Sequence, residues 1–489
     1  MLLTIDIGTS NLKSALWNID EGCNDGLRYC FASVPLSPEN DGFKHETNPS
    51  LWLAAFKNAC DKMTEDNKTR DGKKINLKDI KAIVISGNGP SLVSVFGEPV
   101  FKNENIYVPA ENARLWLDSR AAKYSGEISA LMGGYVDASF FLPKIFFIKN
   151  EEKTLYDKTK YFIGCPEYLA FALTGEAKTV FPCEGFDRWF WNDEILNKLD
   201  MNNEKFPPFI KPGDQFGIIT SQASEYFGFT KNIPVISGGP DFYAAILGSG
   251  VKKPGQVCDR SGSSEGINLC TNNRINDKRL MSYGHPVKPF WNLSGIINTT
   301  GKAIEWACNV LGFSNFDEFI FHAEKSGPGS GNLIFIPYLA GERAPVWNPS
   351  AKALWHGINL SSTRGDFANS ILEGISFAVN DVIEIMEESG IKAMELRVTG
   401  GLAGCDILNQ IKADITGAPV LEGVYKEAEL LGLAIIGACH FNYFSSYEEA
   451  SLAMCRAEKC YEPNLKNTAV YKDLSEKYKK LRSMQLITS

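Results

Sequence analysis

The feature that most restricts the fold is a strand–turn–strand pattern that opens each half of the chain. Near the start, an apolar strand at residues 2–7 leads into Gly8-Thr9-Ser10 and then into a second apolar strand. Just past the midpoint, another strand leads into Gly262-Ser263-Ser264 and again into a returning strand. Similarity between the halves is otherwise too faint to define a repeat. The two hairpins predict two related lobes that face a cleft.

The length agrees with more than one folding unit. A chain of 489 residues is too long for one core, and ~150 residues per domain predicts two to four domains. Hydrophobic residues make up 44% and charged residues 22%, as in ordinary globular proteins. The stretch Lys-Lys-Pro-Gly at residues 252–255 is typical of a linker. We therefore expect domains at residues 1–250 and 251–489.

Charge and cysteine content exclude several classes of partner. The formal net charge is −8, which argues against a nucleic-acid or anionic-membrane surface. The one basic cluster, at residues 68–78, predicts a solvated loop. No apolar run reaches the ~18 residues of a membrane span, and no secretory signal precedes the first strand. Twelve cysteines occur without a Cys-x-x-Cys pair, which favours free thiols in the cytoplasm.

A stretch at residues 233–250, IPVISGGPDFYAAILGSG, contains the strongest candidate for a catalytic residue. A short apolar strand ends at Gly238 and Gly239, and Pro240 fits the first turn of a helix. Asp241 then lies on the turn between strand and helix, where open α/β sheets bind ligands. We predict that Asp241 is a general base. The alternative is that Asp241 only complements the helix N-terminus.

The tip of the first hairpin suits a phosphate. Glycine, threonine and serine in a turn offer backbone N–H groups and hydroxyls, and Lys13 offers a positive charge. Asp6, at the end of the first strand, could hold a hydrated Mg²⁺. The Gly-Lys-Ser/Thr ending of a Walker A loop is absent. An ordinary hairpin remains the alternative for this stretch.

Two further segments of the first half carry polar side chains suited to a small ligand. The glycine-rich turn Gly87-Asn88-Gly89-Pro90 follows a buried strand. In RLWLDSR, Trp116, Asp118 and Arg120 would share one face of an extended segment. An aromatic ring beside a carboxylate and a guanidinium suits a polyhydroxylated ligand. The alternative is a surface salt bridge beside a half-buried tryptophan.

The second half contains a long helical pattern and a second glycine turn. Apolar residues at helical spacing predict a helix over residues 362–389, with Thr363 and Asp366 as a capping box. A strand at residues 395–398 leads into Thr-Gly-Gly-Leu-Ala-Gly, a turn that lets backbone approach a planar or phosphorylated group. The many small residues at positions 427–439 predict a helix that packs tightly against its neighbours. The charged tail beyond Glu448 predicts a surface helix.

Taken together, the ordered motifs of the chain resemble the FGGY family of carbohydrate kinases, from Leu2 to about Ala457. Each motif is weak alone, but eight in the right order are very specific. They are DIGTSNLKSALW, SGNGPS, RLWLDSR, GGPDFYAAILGSG, SGSSEG, IPYLAGERAPVW, LEGISFAV and TGGLAGCDILNQIKADITGAPV.

The resemblance implies an α/β fold of two actin-like (ribonuclease H-like) lobes, with ATP and sugar meeting in the cleft. It implies that Asp241 takes a proton from a sugar hydroxyl. It also implies that Asp6 and Asp241 lie next to the Mg²⁺ ion. The nucleotide would be bound by Gly8, Thr9, Ser10, Lys13, Gly262, Ser263, Ser264, Gly400, Gly401, Ala403 and Asn409. The sugar would be bound by Asn88, Gly89, Trp116, Asp118, Arg120 and Asp241.

Two departures from the family pattern leave the substrate open. Xylulose kinases carry Met-His, and glycerol kinases Arg-Glu, where this chain has Gly89 and Pro90. The nucleotide wall has Leu402 where a third glycine is common. Neither change touches Asp241.

The leading hypothesis is therefore an ATP-dependent kinase of a ketose such as xylulose. The alternatives are a kinase of a small polyol such as glycerol or erythritol, a non-catalytic sugar or nucleotide sensor, and an actin-like chaperone or filament protein. Homodimers are common among such kinases, and no nucleic-acid or membrane partner is expected. The sequence reveals neither an interface nor the identity of the sugar.

Overall fold

The computed structural model describes residues 1–19, 28–36, 39–65, 75–102 and 105–488. Most of the basic stretch at residues 68–78 lies outside the described residues. The strands are β1 Leu2–Ile7, β2 Asn11–Trp17, β3 Arg28–Pro35, β4 Glu39–Asp41, β5 Lys44–Thr47, β6 Ala82–Gly87, β7 Leu92–Val95, β8 Val100–Lys102, β9 Asn105–Tyr107, β10 Ala113–Arg114, β11 Tyr161–Gly164, β12 Thr179–Val180, β13 Phe209–Ile210, β14 Gln215–Ile218, β15 Pro234–Pro240, β16 Gln256–Ser261, β17 Glu265–Thr271, β18 Met281–Gly284, β19 Trp291–Ile297, β20 Ile334–Ile336, β21 Leu354–His356, β22 Glu395–Thr399, β23 Val420–Gly423 and β24 Ala457–Tyr461.

Helices alternate with these strands along most of the chain. They are α1 Ser50–Glu65, α2 Ala122–Leu131, α3 Phe141–Glu151, α4 Lys153–Lys158, α5 Cys165–Thr174, α6 Asp193–Lys198, α7 Ser221–Phe227, α8 Asp241–Gly248, α9 Gly301–Leu311, α10 Phe316–Ser326, α11 Arg364–Glu387, α12 Asp406–Thr416, α13 Ala428–His440, α14 Tyr447–Met454 and α15 Leu465–Thr488. Short 3-10 turns occur at Leu77–Asp79, Asp187–Trp189, Asn203–Lys205 and Ser330–Asn332. Among the described helices, none combines the length and apolar character that crossing a membrane requires.

The chain divides into two compact units. The first unit comprises Met1–Gly248 and Glu429–Met454, and the second comprises Ser249–Ala428 and Cys455–Ser489. The first unit is therefore built from two separate stretches of sequence. Helices α13 and α14 belong to it, although the chain reaches them only after most of the second unit has been traced.

The first unit is organised around a six-stranded mixed sheet in the order β14-β15-β6-β1-β2-β3. Its centre is parallel, because β1 and β15 both run alongside β6 in the same direction. The strands β1, β2 and β3 form an antiparallel meander at one side. A smaller five-stranded sheet, β11-β7-β10-β5-β4, carries the segment that leads into Trp116.

The second unit repeats this arrangement within a seven-stranded sheet. Its order is β18-β19-β17-β16-β22-β23-β24. The meander β16-β17-β19 is antiparallel, β16-β22-β23 is parallel, and β24 returns antiparallel. Six strands thus follow the same order and directions as those of the first unit. The prediction of two related lobes, each opened by a hairpin, is confirmed.

Helix α11 forms the core of the second unit. Thr363 and Asp366 form the predicted capping box, with side chain and backbone bonded in both directions. Most positions of α11 are buried, including polar ones such as Glu373. A 24-residue helix that is buried on nearly every side belongs to the interior of a domain.

Helix α13 packs against the helix that begins with Asp241. A Cβ atom added at Gly432 would collide with the backbone oxygen of Ala244 in α8, and one at Gly437 would lie 2.7 Å from Leu2 Cδ1. Backbone approaches this close require glycine. The predicted tight packing of this small-residue helix is therefore confirmed, and its partner is the first unit.

The charged tail differs in part from the sequence prediction. Residues beyond Glu448 include β24, a strand paired with β23, and not helix alone. Residues 457–460 of β24 are exposed. Because β24 is the outer strand of the sheet, it needs no apolar alternation and gives no sequence signal.

We expect Gly432→Ala to lower the free energy of unfolding by about 1–3 kcal/mol, since the new methyl group forces α13 away from Ala244. Thermal or urea unfolding monitored by circular dichroism measures this change.

Gly126→Ala is the matched control. Gly126 lies in α2, is exposed, and has open space around its Cα atom. Alanine there should stabilise the helix by about 0.5–1 kcal/mol. Equal unfolding free energies for the two variants would contradict the close packing of α13 on α8.

Candidate active site

Asp241 is the first residue of α8 and follows β15 directly. Its Oδ1 accepts a hydrogen bond of 2.7 Å from the backbone N–H of Phe242. The side chain is half-buried. Unpaired N–H groups at a helix N-terminus favour a negative charge there. The carboxylate therefore lies at the carboxyl end of a parallel strand, as predicted from the sequence.

Gly239 shapes the path of the chain just before α8. The pairing of β15 with β6 is irregular between Ser237 and Pro240. Gly239 has a φ of +75°, and a Cβ atom there would lie 2.9 Å from Pro212 Cγ. The Ser86 hydroxyl donates a 2.9 Å hydrogen bond to the carbonyl of Gly239. The positive φ and the close contact with Pro212 favour glycine at this irregular turn, which ends β15 immediately before Asp241.

The first hairpin forms as predicted. Asp6 of β1 lies opposite Lys13 of β2. The turn closes through a 2.9 Å hydrogen bond from Gly8 N–H to the carbonyl of Asn11. Asp6 is buried, whereas Gly8 and Thr9 are half-buried and Ser10 is exposed.

Trp116 joins this hairpin to the segment RLWLDSR. Its indole Nε1–H donates a 2.9 Å hydrogen bond to Thr9 Oγ1 at the hairpin tip. Within RLWLDSR only Arg114 lies in a strand, and the residues after it turn, so the prediction that Trp116, Asp118 and Arg120 share one face of an extended segment is wrong. The predicted phosphate hairpin and the predicted sugar segment thus touch within the first unit.

Asp118 and Arg120 bind each other. Arg120 Nε and Nη2 donate to the carboxylate of Asp118 at 3.0 and 2.7 Å, and Nη2 also donates to Glu46 at 2.6 Å. Burial raises the pKa of Asp118, but the hydrogen bonds from Arg120 and the His45 N–H outweigh it and lower the pKa below its usual value. Asp118 is 1% exposed. Arg120 is the more accessible member of the pair.

Asn88 is bonded to the end of the central strand. Both its backbone N–H and its side-chain Nδ2 donate to the carbonyl of Ile7, at 2.8 and 2.9 Å. Its Oδ1 accepts from the Ser91 hydroxyl. Asn88 is buried, while the neighbouring Gly89 is exposed. The amide thus ties the glycine turn to β1 and leaves Gly89 exposed to solvent.

Cys165 lies among the predicted catalytic residues. Its Sγ is 3.8 Å from Asn88 Nδ2. Burial raises the pKa of the thiol well above its usual value, with further contributions from the carboxylates of Glu167, Asp6 and Asp241. Ile7 and Pro240 both pair with Gly87, so Asp6, Asn88 and Asp241, which adjoin these three residues in the chain, come together at one edge of the sheet although they are far apart in the sequence.

A row of aromatic rings ends beside Asp241. Phe140 stacks on Trp189 with ring centroids 4.0 Å apart, and Trp189 contacts Phe186 at 5.1 Å. Phe186 stacks on Phe242, the residue after Asp241, at 5.2 Å. Phe186 and Trp189 lie far before Asp241 in the sequence, so no local pattern predicts that they pack next to it.

The second hairpin forms between β16 and β17, with Ser261 opposite Glu265. At its tip, Gly262 N–H donates a 2.9 Å hydrogen bond to the carbonyl of Ser264. Gly262 and Ser264 are both solvent-accessible at least in part. The tip is therefore held in a defined turn, like its counterpart in the first unit.

The glycine turn after β22 packs on this hairpin. Gly400 has a φ of +89°, and a Cβ atom there would lie 2.5 Å from the carbonyl oxygen of Ser261. Gly401 has open space above it. Asn409 Nδ2 donates to the carbonyl of Ala403 at 2.7 Å, and both residues are buried. Asn409 thus holds the turn from within, and Gly401 leaves room for a ligand.

Both units match domain models of one known protein family. Residues 1–248 match the N-terminal domain of the FGGY family of carbohydrate kinases, and residues 261–441 match its C-terminal domain. The chain belongs to the FGGY family of carbohydrate kinases. As a member, it is a sugar kinase, and kinases of this kind use ATP. The predictions of family, enzyme class and two-lobed actin-like fold are confirmed.

Relatives of this FGGY kinase span nearly its whole length. It is 25% identical over 500 residues to a xylulose kinase of Staphylococcus epidermidis, which covers 98% of this chain and 95% of that relative. It is 28% identical over 440 residues to glycerol kinase 2 of Thermotoga maritima, which covers 83% of this chain and 87% of the relative. The ligand-bound xylulose kinase of Lactobacillus acidophilus has a similar structure, with a TM-score of 0.83 and 22% identity over 99% of this chain and 98% of that one.

Two positions at which this FGGY kinase departs from the family pattern can now be described. Gly89 is exposed with no side chain within contact distance, and Pro90 beside it is buried. Leu402 packs partly buried against the core of the second unit. Its N–H donates a 3.2 Å hydrogen bond to the carbonyl of Ser261. Leu402 therefore supports the turn, and the glycines beside it remain accessible.

Asp6 and Asp241 supply the oxygen ligands that Mg²⁺ prefers. Among the described residues, no group of three or more His, Cys, Asp or Glu side chains could hold a metal ion. A Mg²⁺ that retains water and binds phosphate oxygens needs only one or two protein carboxylates, so Asp6 and Asp241 are compatible with such an ion.

Lys144 holds together the two loops that carry the predicted sugar residues, and the sequence analysis missed it. It lies on α3 with no exposed surface. Its Nζ donates to the carbonyls of Pro90 at 2.7 Å and Leu115 at 2.6 Å. Burial lowers the pKa of its ammonium to about 7. A lysine in an apolar helix is the available signal, since burial of lysine needs partners.

We expect Lys144→Met to remove a pH dependence of stability. Between about pH 7, the folded pKa, and about 10.5, the unfolded value, the unfolded chain binds more protons at Lys144. The contribution of Lys144 to the free energy of unfolding therefore rises with pH over this window. Below the window this contribution no longer changes with pH, because Lys144 is protonated in both states. Urea unfolding of wild type and variant from pH 6.5 to 9.5 measures that term.

Lys153→Met, at an exposed site on the adjacent helix α4, controls for the loss of one lysine charge. A difference between wild type and Lys144→Met that stays constant across the pH range would contradict the burial of this ammonium.

Proposed function

We propose that this kinase phosphorylates a hydroxyl group of a ketose such as xylulose, with Asp241 as the general base. The observation that carries the proposal is the position of Asp241 at the start of α8, directly after Pro240, which pairs with Gly87 beside the end of the strand that carries Asp6. A base must lie where the substrate can approach it, and Asp241 is half-buried rather than enclosed.

The proposed step moves one proton and one phosphoryl group. The carboxylate of Asp241 takes the proton of the sugar hydroxyl as that oxygen bonds to the γ-phosphorus of ATP. The bond between the γ-phosphorus and the β–γ bridging oxygen breaks, and ADP leaves with that electron pair. Such transfers depend mostly on positioning and on charge stabilisation, so one carboxylate suffices as the base.

The two hairpins are proposed to bind the phosphates. In the first unit, Gly8, Thr9 and Ser10 offer backbone N–H groups and hydroxyls, and Lys13 a positive charge. In the second unit, Gly262, Ser263 and Ser264 do the same. Mg²⁺, held by Asp6 and Asp241, would neutralise charge on the phosphate oxygens. Turns rich in N–H groups are common anion sites.

The glycine turn of the second unit is proposed to bind adenine and ribose. Gly400 and Gly401 allow close approach of a flat ring, since Gly401 has open space above it. Ala403 and Asn409 lie beneath, joined by their hydrogen bond, and act by holding the turn.

The sugar is proposed to bind in the first unit, against Asn88, Gly89, Trp116, Asp118 and Arg120. The row of rings that ends at Phe242 supports this assignment, because sugars present C–H faces as well as hydroxyls. Arg120 is the member of its ion pair left accessible, and we expect it to donate to a sugar hydroxyl while Asp118 holds it.

The relatives favour a ketose but leave a second candidate. Xylulose kinases align over nearly the whole chain, which supports xylulose or a similar ketose. The identity to a glycerol kinase is 28%, over a shorter part of the chain, and favours a small polyol as the alternative. Gly89 and Pro90 match neither group, so substrate recognition at this turn is specific to this chain. We further propose a cytoplasmic enzyme that assembles as a homodimer, which analytical ultracentrifugation would test.

We expect Asp241→Asn to lower kcat about 10²–10⁴-fold, the usual contribution of a general base. ATP turnover would be measured with xylulose, ribulose, glycerol and erythritol, so that the same assay identifies the substrate. Asp200→Asn, an exposed aspartate in the same unit, is the control and should retain wild-type kcat.

Turnover that survives in Asp241→Asn would remove this residue as the base. ATP binding without turnover on any compound would favour a sugar or nucleotide sensor over a kinase of the compounds tested.

We expect Trp116→Phe to raise the KM for the sugar about 3–10-fold with little change in the KM for ATP, since it removes the hydrogen bond to Thr9 that orients the ring. Initial rates at varied sugar and varied ATP separate the two constants. Trp355→Phe loses a comparable indole-to-hydroxyl bond, to Ser370 in the second unit, and is the matched control. Equal effects of the two variants would count against Trp116 as a sugar residue.

A further inference from the structure

Helix α12 buries a lysine beneath the hairpin of the second unit. Lys412 has no exposed surface. Its Nζ lies 2.6 Å from Asp259 Oδ2 and 2.8 Å from Ser261 Oγ, and it also donates to Glu265 Oε1. The ammonium thus has three side-chain acceptors, each also buried. We call Lys412, Asp259, Ser261 and Glu265 the lysine cluster.

The lysine cluster joins both strands of the hairpin to a helix. Asp259 and Ser261 lie two residues apart on β16 and so share one face of the strand. Glu265 is the first residue of β17, directly opposite Ser261. Gly262, Ser263 and Ser264, the proposed phosphate tip, connect these two strands. One ammonium group therefore contacts the chain immediately before and immediately after the tip.

The cluster contains two carboxyl groups for one ammonium. Burial and the nearby Glu265 carboxylate raise the pKa of Asp259 well above its usual value. Burial also raises that of Glu265, but Lys412 and the neighbouring hydrogen bonds outweigh it and lower the pKa to about 2. The two carboxyl groups face one ammonium, an arrangement that favours a single negative charge shared between Asp259 and Glu265.

Stability alone does not explain such a cluster. Buried ion pairs are often no more stabilising than well-packed apolar residues of the same volume, because both charges lose their hydration. What the cluster provides is geometry, since three acceptors around one ammonium restrict the relative position of β16, β17 and α12. Ser261 adds a 2.6 Å hydrogen bond to Glu265 that links the two strands again.

The tip of the hairpin, above the lysine cluster, is also held by the start of α9. The N–H groups of Thr300 and Gly301, at the start of α9, donate to the carbonyls of Ser263 and Gly262 at 3.0 and 2.9 Å. A Cβ atom at Gly301 would lie 2.6 Å from the Gly262 oxygen. Backbone N–H groups thus hold the tip itself, while the side chains of the lysine cluster hold the residues on either side of it.

We propose that Lys412 is a positioning residue that holds the second hairpin in the shape that binds the phosphates of ATP. It contacts neither nucleotide nor sugar and acts through Ser261 and Glu265. The inference rests on the proposed function of Gly262, Ser263 and Ser264, and it adds the device by which that tip is held.

The test separates the constants for ATP from those for the sugar. Lys412→Met combined with Glu265→Gln removes one group of each charge and leaves Asp259, whose raised pKa favours the neutral carboxyl form. We expect this double variant to raise the KM for ATP about tenfold or more, since small misplacements of binding groups have effects of this size or larger. The KM for the sugar should stay within about twofold. Lys477→Met, on the exposed face of α15, controls for the loss of a lysine.

Ser261→Ala provides a test that does not depend on the charged residues. It removes one acceptor of Lys412 and the link to Glu265 with almost no change in volume. We expect a smaller rise, about threefold, in the KM for ATP. If the double variant fails to fold, Ser261→Ala decides, and an unchanged KM for ATP would then overturn the proposal.

Two further results would also overturn it. One is a folded double variant whose kcat and KM for ATP match those of wild type despite a lower melting temperature, which indicates a purely structural cluster. The other is an equal rise in the KM for ATP and for the sugar. Calorimetric titration with ADP measures nucleotide affinity without turnover. Wild type that binds ADP but phosphorylates no sugar would contradict the proposed function and leave this inference testable by the same titration.

Discussion

Parallel pairing at the centre of the first sheet determines where every candidate catalytic residue lies. The register sets Ile7 of β1 and Pro240 of β15 both beside Gly87, at the end of β6. Three chain segments therefore leave the sheet at one point. A Cβ atom at Gly87 would lie 3.1 Å from Ile7 Cβ and 3.3 Å from Cys165 Sγ, so glycine is what lets them converge. Asp6, Asn88 and Asp241 are neighbours because these strand ends are.

Each unit holds loops in place with a buried lysine, but the two lysines bind different chemical groups. In the first unit, Lys144 satisfies two backbone carbonyls and has no directly bonded carboxylate. In the second, Lys412 binds side chains that carry charge. Lys144 has two acceptors and can keep both hydrogen bonds as a neutral amine, whereas Lys412 has three and would lose at least one. The lysines that support loops in the two units therefore respond differently to the loss of a proton.

Much of the fold could be predicted from the sequence, because local signals agree with the final structure. Strand β1 has the predicted limits, and α11 begins at the predicted capping box of Thr363 and Asp366. Asp241 lies where strand, glycines and helix predict it. These signals are local, since they consist of apolar runs, caps and turn residues that act over a few positions.

The rest depends on contacts between distant residues. Lys412 lies in an ordinary helical pattern, and nothing nearby in the sequence reveals that Asp259 and Glu265, about 150 positions earlier, surround it. The bond between Trp116 and Thr9 and the approach of α13 to Ala244 are of the same kind. Spacing along the chain therefore predicted local structure, but not which distant residues these side chains contact.

The return of α13 to the first unit has a consequence for how the chain is made. Synthesis begins at the N-terminus, and domains generally fold as they emerge. The surface of α8 and β1 that receives Gly432 and Gly437 must wait, uncovered, until almost two hundred further residues have been added. The second unit is largely complete by then. The unit that carries Asp241 thus starts to fold before the other and cannot be completed until most of the other has been translated, so the packing of α13 against the Asp241 helix forms late in assembly.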